Sequence, residues 1–562
     1  MSFVAHLPRG ALEPGGSPDA GCLLAVLSPL ASRAELRTAS GAQLCLVGRV
    51  RLDRAAELIA PLAARGAAPV DRADHAALCL AAWALWGEAA VEHLHGDFAF
   101  VLWDGGARRL FAARDRLGVR GLVAWENAAG WWLGDSLDEV LAAAGQRPTK
   151  PDPQWIADFL GAEVSGDPGR TAYADVRRLP PAHVLSITPA GSRLSRYWQF
   201  GPAELLRPRS AGAVCEEFRS LLATALAERL PAEGKVGIML SGGLDSTTLA
   251  AGSVDLIGPE RVVGRTLLFS LERDPEGPAA RDVAAYLGIA HRCTETAGLQ
   301  YDPLWHEAAE SPAEPDLTIT QPRAHASVRA AMAQDARVWF YGEGPDNALT
   351  FEWRAHLAWL ARRRRWLDLA QTGAIWLATK PLAEWATTLA VWSGRKPSWP
   401  PPPPTPWVRR PPAAPAIAEP RADTWRPDAL ANLAGPLWPD MFQGLDRHYA
   451  AEGIDWRHPF LDLRLLEFML RTPPVPWARH KRLLRRAMAG RLPAATLKRR
   501  KTPLVEDLAG ASLSRAMPPM PRGGPIEAYV SVRDLPEIPA DAEQAQSLLR
   551  VAVLDHWLRT HG

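Results

Sequence analysis

The stretch richest in chemistry is Ser241-Gly242-Gly243-Leu244-Asp245-Ser246, with an apolar run at 235–240 before it and helical apolar spacing at 247–254 after it. A short buried strand, a Gly-rich turn and a helix start make a phosphate cradle. Gly242 and Gly243 let the main chain approach a ligand, while Ser241, Ser246 and backbone N–H groups face it. The helix N-terminus adds partial positive charge. No Gly-Lys-Ser/Thr closes the loop, so it is not of the Walker type. Asp245 inside such a cradle repels an anion unless a cation lies between them. Mg²⁺ takes hard oxygen ligands and usually only one or two carboxylates. Asp346 is the expected second ligand, in Tyr341-Gly342-Glu343-Gly344-Pro345-Asp346-Asn347. That segment also leaves a strand at its C-terminal end, the edge at which open α/β sheets bind ligands.

Two further constellations follow. One is Trp456-Arg457-His458-Pro459-Phe460-Leu461-Asp462, with Leu465-Leu466-Glu467-Phe468 behind it. The other is basic, covering 481–488 and Lys498-Arg499-Arg500-Lys501. Most of its charges read as a solvated helix face.

The elements that must position these residues fall into two blocks. Short apolar or alternating runs at 43–52, 97–103, 109–113, 131–133 and 183–187 predict strands, with a helix over 74–85. They suggest an α+β domain of stacked sheets over about 1–205. Residues 201–215 read as a linker. Beyond it, helices at 218–230, 247–254 and 279–287 alternate with strands at 235–240, 261–269 and 336–341, the pattern of a doubly wound α/β sheet. This second domain, 206–562, carries a helical insertion at 350–440. Trp353, Trp359, Trp366, Trp376, Trp385 and Trp392 punctuate it, and a proline run at 400–404 reads as a polyproline II linker or surface loop. The simplest role for the tryptophans is the insertion's own core; a substrate-facing surface is the alternative. An amphipathic helix is expected near 542–558.

Composition sets outer bounds. The chain has 562 residues, 47% hydrophobic and 22% charged, as expected of a globular protein of several domains. A formal charge of +2 does not argue for nucleic acid as a partner. No apolar run reaches the length of a membrane span, and no secretory signal is evident. Cys22, Cys45, Cys79, Cys215 and Cys293 are widely spaced with no Cys-x-x-Cys, which argues against a disulfide framework or structural zinc. A cytoplasmic location is expected.

Taken together, these residues resemble the asparagine synthetase superfamily along nearly the whole chain. The first half is similar to its glutaminase-type (Ntn-type) domain through Gly96-Asp97-Phe98-Ala99-Phe100 and Ala113-Arg114-Asp115-Arg116-Leu117-Gly118. The second half resembles its ATP pyrophosphatase synthetase domain through residues 241–246, 342–346 and 457–462. The resemblance implies ATP and Mg²⁺ dependence, a carboxyl-AMP intermediate, and release of AMP and pyrophosphate. It puts Ser241, Gly242, Gly243, Leu244, Asp245, Ser246 and Gly344 on the nucleotide. Glu343 falls beside the reacting groups, where it could take the amine proton, and Lys501 matches the active-site lysine that stabilises developing charge.

One departure directs the functional reading. Glutamine-using members expose a cysteine directly after the initiator Met, and this chain has Ser2. Cys22 has a comparable apolar context but would need proteolysis to become terminal. Glutamine hydrolysis is therefore not expected, and the first domain reads as a structural remnant or docking surface. Members lacking the cysteine include β-lactam synthetases and lasso peptide cyclases. Glu343 stands where the former carry tyrosine, and the Trp- and Pro-rich insertion resembles the latter. The expected activity is adenylation of an Asp or Glu side chain of a precursor peptide, followed by macrolactam closure with the peptide's N-terminal amine. A leader-binding protein and a leader protease are the partners the resemblance implies. The alternative is an asparagine-type ligase using ammonia or another small amine.

Overall fold

The computed structural model describes residues 2–11, 22–38, 41–66, 68–162, 164–201, 204–206, 209–268, 276–295, 302, 304–307, 312–379, 405–412, 424–499 and 520–561. The first domain contains β1 (Phe3–Pro8), β2 (Leu23–Val26), β3 (Ser32–Arg37), β4 (Gln43–Asp53), β5 (His95–Asp104), β6 (Arg109–Arg114), β7 (Val123–Asn127), β8 (Gly130–Gly134), β9 (Val176–Arg178), β10 (His183–Thr188) and β11 (Gly191–Arg196). They form two antiparallel sheets, ordered β2-β1-β8-β7-β9 and β11-β10-β6-β5-β4-β3. The period-2 alternation of β5 explains how the layers stack. Ala99, Val101 and Trp103 face the other sheet and share a core with Phe3, Leu7 and Leu133. Phe98, Phe100 and Leu102 face outward and are covered by Leu78, Ala82 and Trp83 of the His75–Trp86 helix. Both faces of this strand are buried, so it is apolar throughout.

The second domain is built on β12 (Val236–Met239), β13 (Val262–Leu268), β14 (Ala290–Glu295), β15 (Val338–Phe340) and β16 (Asp455–Arg457). All pairings are parallel, in the order β14-β13-β12-β15-β16. The chain winds outward from β12 through β13 to β14, then returns to the other side of β12 for β15. The winding therefore reverses between β12 and β15, the position at whose C-terminal strand ends open α/β sheets bind ligands. The segments leaving those two strands are the Ser-Gly-Gly loop and the Gly-Glu-Gly-Pro-Asp loop.

Several expectations need correction. The supposed linker at 201–215 is partly helix: Ala211–Ala227 starts inside it, with Ser210 accepting a hydrogen bond from the Ala213 N–H at 3.2 Å. A Ser N-cap outweighed the polar composition around it. The helix expected from 247 starts at Leu244, which puts Asp245 and Ser246 in its first turn. Strands β14 and β16 were not anticipated. In the insertion, helices span Trp353–Arg362, Trp366–Thr379 and Pro427–Ala434. Trp353 stacks on Trp376 at 4.8 Å and Trp359 faces Trp425 at 6.3 Å, so these rings pack on one another. Trp366 is exposed. Trp385, Trp392 and the proline run lie outside the described residues.

Among the described residues the two domains meet at several places, a helical packing and an Arg–Asp lattice foremost. The C-terminal helix Ala542–His561 returns to the first domain, where Leu548, Leu554 and Trp557 share a core with Trp125, Val140 and Phe159. An Arg–Asp lattice forms the second junction. Arg120 bonds Asp446 at 3.0 Å and Asp455 at 2.6 Å, and Arg49 reaches the same two carboxylates at 3.0 and 3.3 Å. Arg457 adds a bond to Asp455 at 2.7 Å. Burial alone would raise the Asp455 carboxyl, but Arg120, Arg457 and Arg49 outweigh it and hold it far below the usual carboxylate range. Asp455 begins β16, so the lattice fixes the strand beside β15.

Candidate functional site: two loops and a lysine at the sheet edge

The first loop closes on itself. Ser241 N–H donates to Ser246 Oγ at 3.2 Å, the two Ser hydroxyls lie 3.1 Å apart, and Gly243 N–H donates to Ser241 Oγ at 3.2 Å. Thr247 Oγ1 donates back to the Gly243 carbonyl at 2.8 Å. Gly242 has φ 64°, and a Cβ there would lie 2.7 Å from the Ala279 Cβ. The turn thus needs a residue that accepts left-handed backbone and has no side chain. The result leads straight into the first turn of a 14-residue helix.

The second loop packs against the first. A Cβ on Gly342 would come within 3.3 Å of the Ser246 nitrogen. Gly344, with φ 133°, fits against Phe460, whose Cβ would be 2.8 Å from any Cβ at that position. Phe460 belongs to the Arg457–Asp462 constellation. Its neighbours hold it in place: Trp456 is registered against Trp339 in the sheet, and Asp462 caps the Leu463–Arg471 helix. This constellation supports the second loop. His458 is fully buried against Phe442, and burial pulls its imidazole down to about 4.

Between the loops lies Lys481. Its ammonium bonds the Asp245 carboxylate and sits 2.8 Å from Asp346 Oδ1. Burial works against the ammonium, but the two carboxylates prevail and raise it above the ordinary lysine value. Lys481 is in left-handed backbone, φ 53°, at the start of the Arg482–Ala487 helix. The sequence points to Lys501, which lies outside the described residues, and most charges of the basic segments, 481–488 included, read from it as a solvated face. A usable signal was present: Lys481 is the one lysine among Arg479, Arg482, Arg485 and Arg486. Its ammonium is a compact point charge with three donors, which the two carboxylates share.

Of the expected site residues, Ser241, Gly242, Gly243, Leu244, Asp245, Ser246, Gly344 and Asp346 converge at this one edge, with Glu343 in the same loop. Asp245 and Asp346 meet at one cationic point, and Asp346 is 43% exposed on its open side. That donor set suits Mg²⁺ shared with phosphate oxygens. A different acidic group, Asp53, Glu228 and Asp462, lies at the domain junction. Arg51, Arg229 and Arg464 already pair with it, so it works as an ionic joint.

In the first domain, Ser2 is fully buried. Its N–H donates to Asp135 Oδ1 at 3.0 Å and its hydroxyl to Asp135 Oδ2. Burial pushes the Cys22 thiol well above its ordinary value. A cavity of about 190 Å³ lies between the domains, lined by Asp135, Trp155, Arg178, Asp440 and Arg447. It is separate from the loop edge.

Comparison with known proteins agrees with this two-part layout. Residues 217–518 match the family described as Asparagine synthase, and residues 55–198 match the Glutamine amidotransferase domain. The first match covers more than half of the chain, which belongs to the asparagine synthase family. "Asparagine synthetase [glutamine-hydrolyzing] 3" of Bacillus subtilis is 30% identical over 181 residues, 32% of this chain and 29% of that protein. "Amidase chyE" of Penicillium rubens is 30% identical over 291 residues, 48% of this chain and 42% of that protein. A "Putative asparagine synthetase [glutamine-hydrolyzing]" of Mycobacterium tuberculosis is 28% identical over 212 residues, covering 36% and 31%. The chain thus spans less than half the length of these relatives. No helix among the described residues is long and apolar enough to cross a membrane.

Proposed function

We propose that this chain is an ATP-dependent amide ligase that activates a carboxylate as its adenylate. The observation that carries the reading is the convergence of Asp245, Asp346 and Lys481 where the sheet winding reverses. The loop N–H groups and the first turn of the Leu244–Ile257 helix would hold the β- and γ-phosphates. Asp245 and Asp346 would hold Mg²⁺, which when bound neutralises charge on the leaving pyrophosphate. A substrate carboxylate oxygen attacks the α-phosphorus and the bond to the bridging oxygen breaks, releasing pyrophosphate. An amine nitrogen then attacks the acyl carbon and AMP leaves. Glu343 receives the amine proton, and Lys481, with Lys501 as the further candidate, stabilises the negative charge that develops.

For the amine, we favour one already on the substrate. Ser2 is engaged at both its N–H and its hydroxyl by Asp135, which does not suit a free nucleophile in the first domain. Together with Glu343, this supports a precursor peptide whose Asp or Glu side chain is joined to its own N-terminal amine, as in lasso peptide cyclases. Ring closure then depends mainly on holding both ends in reacting geometry. A leader-binding protein and a leader protease are the proposed partners, and the cytoplasm the proposed location. The relatives named as asparagine synthetases favour a second reading, an amide ligase using ammonia or another small amine. ATP–pyrophosphate exchange separates the two. Exchange with a peptide bearing an acidic residue near its N-terminus supports the cyclase. Exchange with free aspartate and none with such peptides refutes it.

A further inference from the structure

We infer that Arg485 is the positioning residue that sets Lys481 between the two carboxylates and locks the 497–499 segment to the same turn. The inference rests on the adenylating site proposed above. Lys481 and the residue before it, His480, both have left-handed backbone, with φ 53° and 49°. Neither is glycine, so this turn needs something outside itself to hold it. Arg485, one helical turn on, supplies that hold. Its Nε donates to the His480 carbonyl at 2.6 Å. Its Nη1 donates to the Leu497 carbonyl and its Nη2 to the Arg499 carbonyl at 2.7 Å. Three main-chain oxygens from two separate segments thus converge on one rigid guanidinium fork.

Each segment then reaches the site by its own side chain. From the His480 side, Lys481 extends to Asp245 and Asp346. From the other, Arg499 Nη1 lies 3.5 Å from the Gly242 carbonyl in the phosphate loop. Among the described residues, Arg485 bonds these main-chain oxygens and not the loops or their carboxylates. It acts by fixing where Lys481 and Arg499 start. A lysine at 485 can satisfy one or two of the three carbonyls but cannot reproduce the planar fork.

The test uses the full-length chain with Arg485→Ala and Arg485→Lys, each alone and combined with Lys481→Ala. Two readouts are needed. The first is amide hydrogen exchange across 479–499, which requires no turnover. Both Arg485 variants are expected to speed exchange at 480–482 and at 497–499 together, while the sheet strands keep wild-type protection. The second is steady-state AMP formation. Arg485→Ala is expected to lower kcat about 10-fold or more, with the ATP KM moving less than about 3-fold, and Arg485→Lys to recover only part of the loss. In the Lys481→Ala background the same change should cost several-fold less than it does in the wild type, because one of the two side chains it positions is gone. Unchanged exchange at 480–482, or losses that multiply in the double variant, would overturn the inference. If the wild-type chain forms no AMP with any substrate, the adenylation reading fails, and the exchange arm alone decides the role of Arg485.

Discussion

Lys481 and Asp346 stand 2.8 Å apart, charge to charge, across the gap between a basic helix start and a sheet-edge loop. The same ammonium also bonds Asp245 in the phosphate loop. One lysine therefore ties together the two loops that flank the reversal of the sheet.

Removing that tie should stop the chemistry before it disturbs the fold. Lys481→Ala is expected to reduce ATP–pyrophosphate exchange by about 100-fold or more, and Lys481→Arg to restore little of it. Thermal unfolding checks that the fold survives. Lys501→Ala is the companion measurement: an equal loss puts both lysines in the site, and no loss leaves Lys481 to act there.

Gly344 is where the second loop should be most easily broken. Its φ of 133° and the 2.8 Å approach to the Phe460 Cβ leave no room for a methyl group. Gly344→Ala is expected to lower stability by about 1–3 kcal/mol and to abolish exchange. Gly373, with nothing within 4 Å of its would-be Cβ, is the control. Gly373→Ala should leave activity unchanged and stability equal or about 0.4–1 kcal/mol higher, as read by urea unfolding.

Asp455 anchors the lattice between the domains. Asp455→Asn leaves Arg120, Arg49 and Arg457 short of a counter-charge in a largely buried setting. The expected loss is about 3 kcal/mol in denaturant unfolding. A change under about 0.5 kcal/mol would mean that Asp446 alone carries the joint.

His458 gives the fold a pH dependence whose sign can be worked out. Its folded value of about 4 lies below the ordinary histidine value of about 6.5. Between those two limits the unfolded chain binds the extra proton, so stability falls as pH falls. The contribution is complete above about pH 6.5 and lost by about pH 4, a loss on the order of 3 kcal/mol. His458→Asn should flatten that part of the stability–pH curve, and an unchanged slope would place its origin in other groups.

The sequence made the phosphate cradle plain, because strand, glycines and helix start are contiguous and each obeys a local rule. Asp346 was also legible, since it leaves a strand at the same edge. The role of Phe460 as the surface against which Gly344 fits was not, because that contact joins segments more than a hundred residues apart. The three-residue β15 falls within the longer strand predicted at 336–341, whereas β16 is too brief to show a periodicity of its own. Its place depends on the Asp455 lattice, which only the fold assembles. Lys481 was missed for a related reason: among arginines its charge looked like surface, and only the turn in left-handed backbone aims it inward. Ser2 was legible as a residue type, but its Asp135 partner was not, because that contact too joins segments more than a hundred residues apart.

The return of the Ala542–His561 helix to the first domain has a consequence for biosynthesis. The faces of Trp125, Val140 and Phe159 that meet Leu548, Leu554 and Trp557 stay uncovered until residues near 558 have left the ribosome. The first domain's two-sheet core can close early in translation, but its outer layer is completed only by the Ala542–His561 helix. The nascent chain therefore carries an apolar surface through the synthesis of the second domain, and aggregation at that stage is what a shielding chaperone would have to prevent.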